Sequence, residues 1–264
     1  MALIALTSAS GSPGVTTTAL GLALAWPRPV VLVDADPTGG RSIPGGYFRG
    51  TLNVQASIVD LAIAQHRGEL ATTLSQSLVQ VPGSKVQLLC GPLRHNQARS
   101  LSSLWKPLAT ILRDLERNGQ DVIVDAGRLG LEGMPFDLLT EADLTLLVTR
   151  SHLPALLGAS SWVPDLLASF VQMGQFSRLQ ALLIGPGRPY KAAEAQKVVE
   201  MPVLGDIAWD PDNAEVYSLG EAPSRRFKSS ALQRSLNATV EAILATLART
   251  RAELARTSID RSVR

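Results

Sequence analysis

Residues 8–25 read SASGSPGVTTTALGLALA. A short apolar run, ALIAL at residues 2–6, precedes them, and a second, PVVLVDADP at residues 29–37, follows. A turn rich in glycine and serine, set between an apolar run and a helix-forming stretch, has the pattern of a strand feeding a phosphate-binding loop. Gly11 and Gly14 would let the backbone approach an anion, and Thr16 or Thr17 would open the helix. A threonine there can cap the helix or place its hydroxyl on magnesium. Yet Val15 stands where such a loop wants a lysine. Gly11, Ser12, Pro13 and Gly14 are also good turn formers in any strand-to-helix link. The stretch is a nucleotide site, the remains of one, or a plain turn.

Further short apolar runs recur at residues 86–90, 122–124, 144–148, 179–184 and 203–208. Solid runs of this length suit strands covered on both faces. Helix-period stretches lie between them, at 17–26, 58–66, 101–118, 156–173 and 192–199, with a last one at 229–256. This alternation predicts a doubly wound α/β domain, with a mainly parallel sheet and helices on both faces. Residues 39–50, GGRSIPGGYFRG, read as a mobile or ligand-responsive loop. The domain is expected over residues 1–248, followed by a basic tail at 249–264 that carries Arg249, Arg251, Arg256, Arg261 and Arg264. That tail is either a frayed surface helix or an electrostatic contact to DNA, anionic lipid or an acidic partner.

Composition narrows the classes. Apolar residues make up 45% of the 264 and charged residues 18%, which suits a globular core. The net charge of +2 does not make the whole chain a polyanion binder. A single cysteine, Cys90, excludes a disulfide framework and a cysteine metal site, and it reads as buried and inert. The three histidines, His66, His95 and His152, follow no ligand spacing, and His95 falls in a polar loop with Arg94 and Arg99. Trp105 and Trp162 sit in helical patterns as packing residues. A cytoplasmic setting is the default. Residues 1–27 carry no charged side chain, but their apolar run stops at Leu6 with no basic segment before it. They therefore read as strand, loop and helix rather than as a signal peptide or a span of about 20 residues. The terminal RTSIDRSVR is too polar for an amphipathic membrane helix.

Asp34 and Asp36 follow the second apolar run, and Asp125 follows the run at 122–124. In open α/β sheets ligands bind at the carboxyl ends of the strands, beside helix N-termini. Three carboxylates converging there need a cation, and magnesium on a triphosphate would supply one. Alternatively, Asp34 and Asp36 cap a loop before Pro37, and Asp125 ends a strand.

Four segments together carry a resemblance. They are SGSPGVTTTALGLA at 10–23, VVLVDADPTGG at 30–40, DVIVDAG at 121–127 and MPVLGDIAWDP at 201–211. In this order they resemble the ParA/MinD family of deviant Walker A, P-loop ATPases, over residues 2–245. The resemblance implies a P-loop NTPase-like fold with ATP and magnesium as cofactors. It implies that Gly11, Ser12, Gly14, Val15 and Thr16 line the phosphates and that Thr17 sits near the α-phosphate. Thr16, Asp34 and Asp125 would hold the metal, directly or through water. Asp36 would be the catalytic residue that orients the attacking water. Trp209, Asp210 and Pro211 would lie in the loop that contacts base and ribose.

The chain departs from the family at three places. Ser10 and Val15 stand where the family has its two loop lysines, and Gly185 stands about where an asparagine recognises adenine. Arg41 and Arg128 are the arginines placed to compensate, since arginine can bind phosphate bidentately. Losing one charge-assisted contact costs about 1.5–3 kcal/mol, or roughly ten- to a hundred-fold in affinity. The leading reading is a protein that positions or assembles a cellular cargo in partitioning, at a division site or in a pilus or secretion apparatus. Its nucleotide site is degenerate, with ATP and magnesium held weakly or lost. The second is a working ATP-driven dimerisation switch with arginine in place of lysine, and the third a metal-assisted enzyme without nucleotide. The expected partners are a second copy of the chain, a protein cargo and, through the basic tail, non-specific DNA. A membrane is not expected.

Overall fold

The apolar runs assemble into one eight-stranded sheet in the computed structural model, which describes residues 2–38, 41–172, 174 and 176–262, with the side chains of 176, 254 and 256–262 excepted. The chain begins with β1 (Leu3–Ser8), α1 (Val15–Ala25), β2 (Val30–Asp34), α2 (Ser42–Gly45), α3 (Ile58–Gln65) and α4 (Leu70–Ser77). It continues through β3 (Leu78–Gln80), β4 (Val86–Leu89), α5 (Trp105–Asp114), β5 (Asp121–Arg128), α6 (Phe136–Glu141) and β6 (Leu144–Arg150). It ends with α7 (Leu153–Gln172), β7 (Leu179–Ile184), α8 (Ala192–Val199), β8 (Val203–Ile207), α9 (Pro211–Ser218) and α10 (Ala231–Ser262).

The strand order is β3-β4-β2-β5-β1-β6-β7-β8. Every pairing is parallel except that of β3 with β4. β1 is buried along its whole length. Side chains alternate across a strand, so an unbroken apolar run needs a core on each face. Leu3 and Ala5 enter one core, with Leu61, Trp105, Leu156 and Phe170. Ile4 and Leu6 enter the other, with Leu20 and Leu22 of α1, Tyr217 of α9 and Leu236 and Ile243 of α10.

Two local features fix the ends of the sheet. At the amino end of β5, the buried Asp121 carboxylate gathers three donors. The Ala2 N–H donates to Oδ1 at 2.6 Å, while Trp26 Nε1 at 2.8 Å and Arg28 Nε at 2.7 Å donate to Oδ2. At the β8 edge, α10 supplies hydroxyls to the strand's outward backbone groups. Ala208 N–H donates to Ser235 Oγ at 3.0 Å, and Thr239 Oγ1 donates to the Asp206 carbonyl at 3.5 Å.

Several boundaries differ from the sequence reading. The expected helix at 101–118 is an α-helix only over Trp105–Asp114, flanked by 3-10 turns at His95–Leu101 and Leu115–Asn118. Pro107 fits the late start, because proline is tolerated in a first turn but kinks or breaks a helix interior. α7 begins at Leu153, ahead of 156, which places Pro154 in its first turn. The strand β3 and the helices α4, α6 and α9 were not among the expected elements. α10 runs on to Ser262, beyond the expected end at 256 and with no break at 248–249. Of its expected basic side chains, those of Arg256, Arg261 and Arg264 lie outside the described ones, and Arg251 pairs with Glu116 at 3.6 Å. In the segment 39–50, Gly39 and Gly40 lie outside the described residues, while 42–50 forms α2 and turns held against the end of α9. Arg49 binds Glu221 there at 2.7 Å, and a side chain at Gly46 would run into the Ser218 carbonyl. Among the described residues no helix is long and apolar enough to cross a membrane.

Candidate functional site

β1 ends at Ser8, and the chain then loops to α1. Ser12 takes the left-handed region at φ 49°, and Gly14 follows at φ 105°. Gly14 is required there, because a side chain at that φ is strained. It stands at the N-cap of α1, whose first turn has no capping side chain and no acidic residue. The N–H groups of Val15, Thr16 and Thr17 thus have no intrahelical acceptor and carry the positive end of the helix dipole. This is the cradle an anion requires.

The loop lines a cavity of about 680 Å³, together with Asp36, Arg128, Arg150, Trp209 and Asp210. Gly11, Ser12, Gly14, Val15, Thr16 and Thr17 all line it. Val15 is only 6% exposed and packs into the core beneath the loop. Arg41 is exposed, heads α2, and is not among the lining residues. Asp210 stands at the N-cap position of α9 without a side-chain capping bond and is engaged elsewhere: Asn213 Nδ2 donates to both its oxygens at 2.9 and 3.0 Å, and Leu232 N–H donates at 3.3 Å.

Asp34 and Asp125 are not among the lining residues. They lie deeper, each at most 1% exposed, and face one another across the β2–β5 pairing. Asp34 Oδ1 and Asp125 Oδ2 have no hydrogen-bond partner among the described residues. Burial drives the Asp34 carboxyl well above the ordinary range, and the charges of Asp125 and Asp36 add to it. Burial also pushes Asp125 up to about 6, with Asp36 adding, against the Thr16 hydroxyl and the Gly127 N–H. The Cys90 thiol, buried near Asp34, is pushed up to about 12 by desolvation first and that carboxylate second. Its burial is as expected.

Asp36 is held at the cavity wall by Thr38, whose N–H and hydroxyl donate to Oδ1 at 2.8 and 2.7 Å. Gly127 takes φ 63°, and a side chain on it would collide with the Asp36 carboxylate. Gly127→Ala is expected to cost about 1–3 kcal/mol through left-handed strain and that collision. A thermal melt within a degree of wild type would show that Asp36 gives way freely.

Two buried acids with orphaned oxygens, beside a threonine hydroxyl, fit a hard divalent cation. Among the described residues no three of His, Cys, Asp and Glu form a complete metal cluster. Magnesium does not need one, since it is commonly held by one or two carboxylates plus phosphate oxygens and water. Arg150 and Thr38 were not among the expected site residues. The only sequence signal for Arg150 is a charge that closes an otherwise uncharged strand.

Comparison with solved structures places this geometry in context. The chain is similar to the septum site-determining protein MinD of Pyrococcus horikoshii OT3, solved in complex with Mg-ADP: 19% identity, 91% of this chain and 94% of that one, TM-score 0.68. It is similar to a ParA family ATPase of Chlorobium tepidum TLS, at 18% identity over 90% and 97% of the two chains, with TM-score 0.71. A MinC:MinD cell division protein complex of Aquifex aeolicus matches at 15% identity over 92% and 95%, with TM-score 0.71. No protein-family model and no curated protein sequence matches. The chain therefore has the P-loop fold of MinD and the ParA-family ATPases, as its four segments imply.

Proposed function

We propose that this chain, built on the fold of MinD and the ParA-family ATPases, positions or assembles a cellular cargo through protein contacts and has a degenerate nucleotide site. The observation that carries the reading is the loop itself. It keeps the glycine hinge, the uncapped helix and the acids Asp34, Asp36 and Asp125, yet it buries Val15 in place of the phosphate-gripping lysine. The loop amides and Thr16 would hold phosphate oxygens, while Asp34 and Asp125 with the Thr16 hydroxyl would hold magnesium. Magnesium would supply charge neutralisation at the phosphates. Asp36 would orient water. Phosphoryl transfer depends mainly on positioned positive charge, so hydrolysis without the lysines is slow or absent. The MinC:MinD complex supports a protein partner by analogy of fold.

The cavity also contains Arg128 and Arg150, which favours one second reading: an ATP-driven dimerisation switch with arginine in the lysine's role. Calorimetric titration with Mg-ATP and Mg-ADP, paired with ATP turnover of wild type and Asp36→Ala, separates the two. Binding with turnover near background in both proteins is the expected result. Turnover in wild type that vanishes in Asp36→Ala establishes the switch instead. No heat with either nucleotide removes the nucleotide site from both readings.

A further inference from the structure

We propose that Arg150 supplies the phosphate-binding positive charge of this site, held ready by the indole of Trp209. The inference rests on the reading of the 11–17 loop as a phosphate cradle. It names which cation serves that cradle and which ligand chemistry it selects, a phosphate chain, free or carried on a nucleoside.

Sheet order brings Arg150 to the loop. β6 lies beside β1, with Val148 opposite Ser8, so the carboxyl end of β6 emerges next to the turn that follows β1. Arg150 Nη2 donates to the Ser12 carbonyl at 2.9 Å, which ties the guanidinium to one of the loop's two left-handed residues. Its carbon lies 4.9 Å from the centroid of the Trp209 ring, within cation–π range. Arg188 adds a second guanidinium at 5.9 Å from the same ring. Gly185 makes room for this arrangement, since a side chain there would press on Trp209 at 3.2 Å.

The guanidinium is under-used. It carries five N–H donors in a fixed fork. Arg150 Nε is buried with no partner among the described residues, and an unmet buried donor is costly. Phosphate oxygens are the acceptors that match such a fork, and the bidentate geometry is stronger than a single neutral contact. Arg150 thus combines a place on the cavity wall, a cation–π contact with Trp209 and guanidinium donors beyond the one given to the Ser12 carbonyl. Arg41 does not line the cavity, and Arg128 is exposed.

The test is calorimetric titration of Mg-ATP, Mg-pyrophosphate and adenosine into wild type, Arg150→Gln and Arg150→Lys, at two salt concentrations. Glutamine keeps a donor for the Ser12 carbonyl and removes the charge. The expected result is a loss of roughly ten- to a hundred-fold in affinity for both phosphate ligands in Arg150→Gln, with a weaker salt dependence and an unchanged melting temperature. Arg150→Lys should recover part of it, and adenosine should not distinguish the proteins. Wild-type affinity of Arg150→Gln for Mg-ATP and Mg-pyrophosphate overturns the inference alone and leaves Arg150 as a prop for Ser12. Failure of wild type to bind either phosphate ligand overturns the inference together with the cradle reading.

Discussion

Asp121→Ala is expected to cost about 3–5 kcal/mol of folding stability, because it strips the partner from three buried or half-buried donors at once. The carboxylate is 0% exposed, and it joins the start of β1 through Ala2, the end of α1 through Trp26, and the approach to β2 through Arg28. In a chain of this size the melting temperature should fall by on the order of 10 °C. Asp121→Asn should rescue little. One of its two positions becomes an NH₂ that meets donors: either the pair from Trp26 and Arg28 or the N–H of Ala2. Arg28→Ala should cost less than either, since the Arg28 side chain is 43% exposed and its ion pair is partly screened. A melting temperature for Asp121→Ala within 2 °C of wild type would show that the three donors find other partners.

Asp125→Asn should move stability the other way and should do so only above acidic pH. The native carboxyl is raised to about 6, mainly by burial, whereas in the unfolded chain it returns to the usual carboxylate range near 4. Between those values the native state holds a proton that the unfolded state releases, so stability falls as pH rises through the window. The raised Asp34 carboxyl acts in the same direction. Removing the Asp125 charge should therefore stabilise the ligand-free protein by about 2–3 kcal/mol at pH 8 and by little at pH 4. Urea unfolding of both proteins at the two pH values measures it. An equal gain at both would refute the titration account. The same substitution should weaken binding of a magnesium–phosphate ligand, so stability and ligand affinity should separate in one variant, as expected where a site stores electrostatic strain.

Much of this architecture was legible because buried strands leave a blunt mark. Seven of the eight strands appear as short, largely apolar runs, and the acids follow two of them. The missed pieces lack such a mark for identifiable reasons. β3 is three residues of Leu, Val and Gln on the sheet edge, where one side needs no apolar cover. α4, LATTLSQS, takes its place from Leu70 and Leu74 docking into the core rather than from helix propensity. Arg150 was missed for a topological reason. It is 138 residues from Ser12, and only the placement of β6 beside β1 brings the two together. Spacing along the chain pointed to Arg41 and Arg128, which follow the acids closely in sequence. Only Arg128 reaches the cavity wall.

The two margins of the sheet bear on how copies of the molecule can meet. The β3 margin offers three residues, and the β8 margin has its Asp206 carbonyl and Ala208 N–H already occupied by threonine and serine of α10. Among the described residues the β3 border is thus short and the β8 border is capped at two of its groups, both of which disfavour addition of a neighbour's strand. Any assembly of like molecules is thereby steered away from ribbon extension.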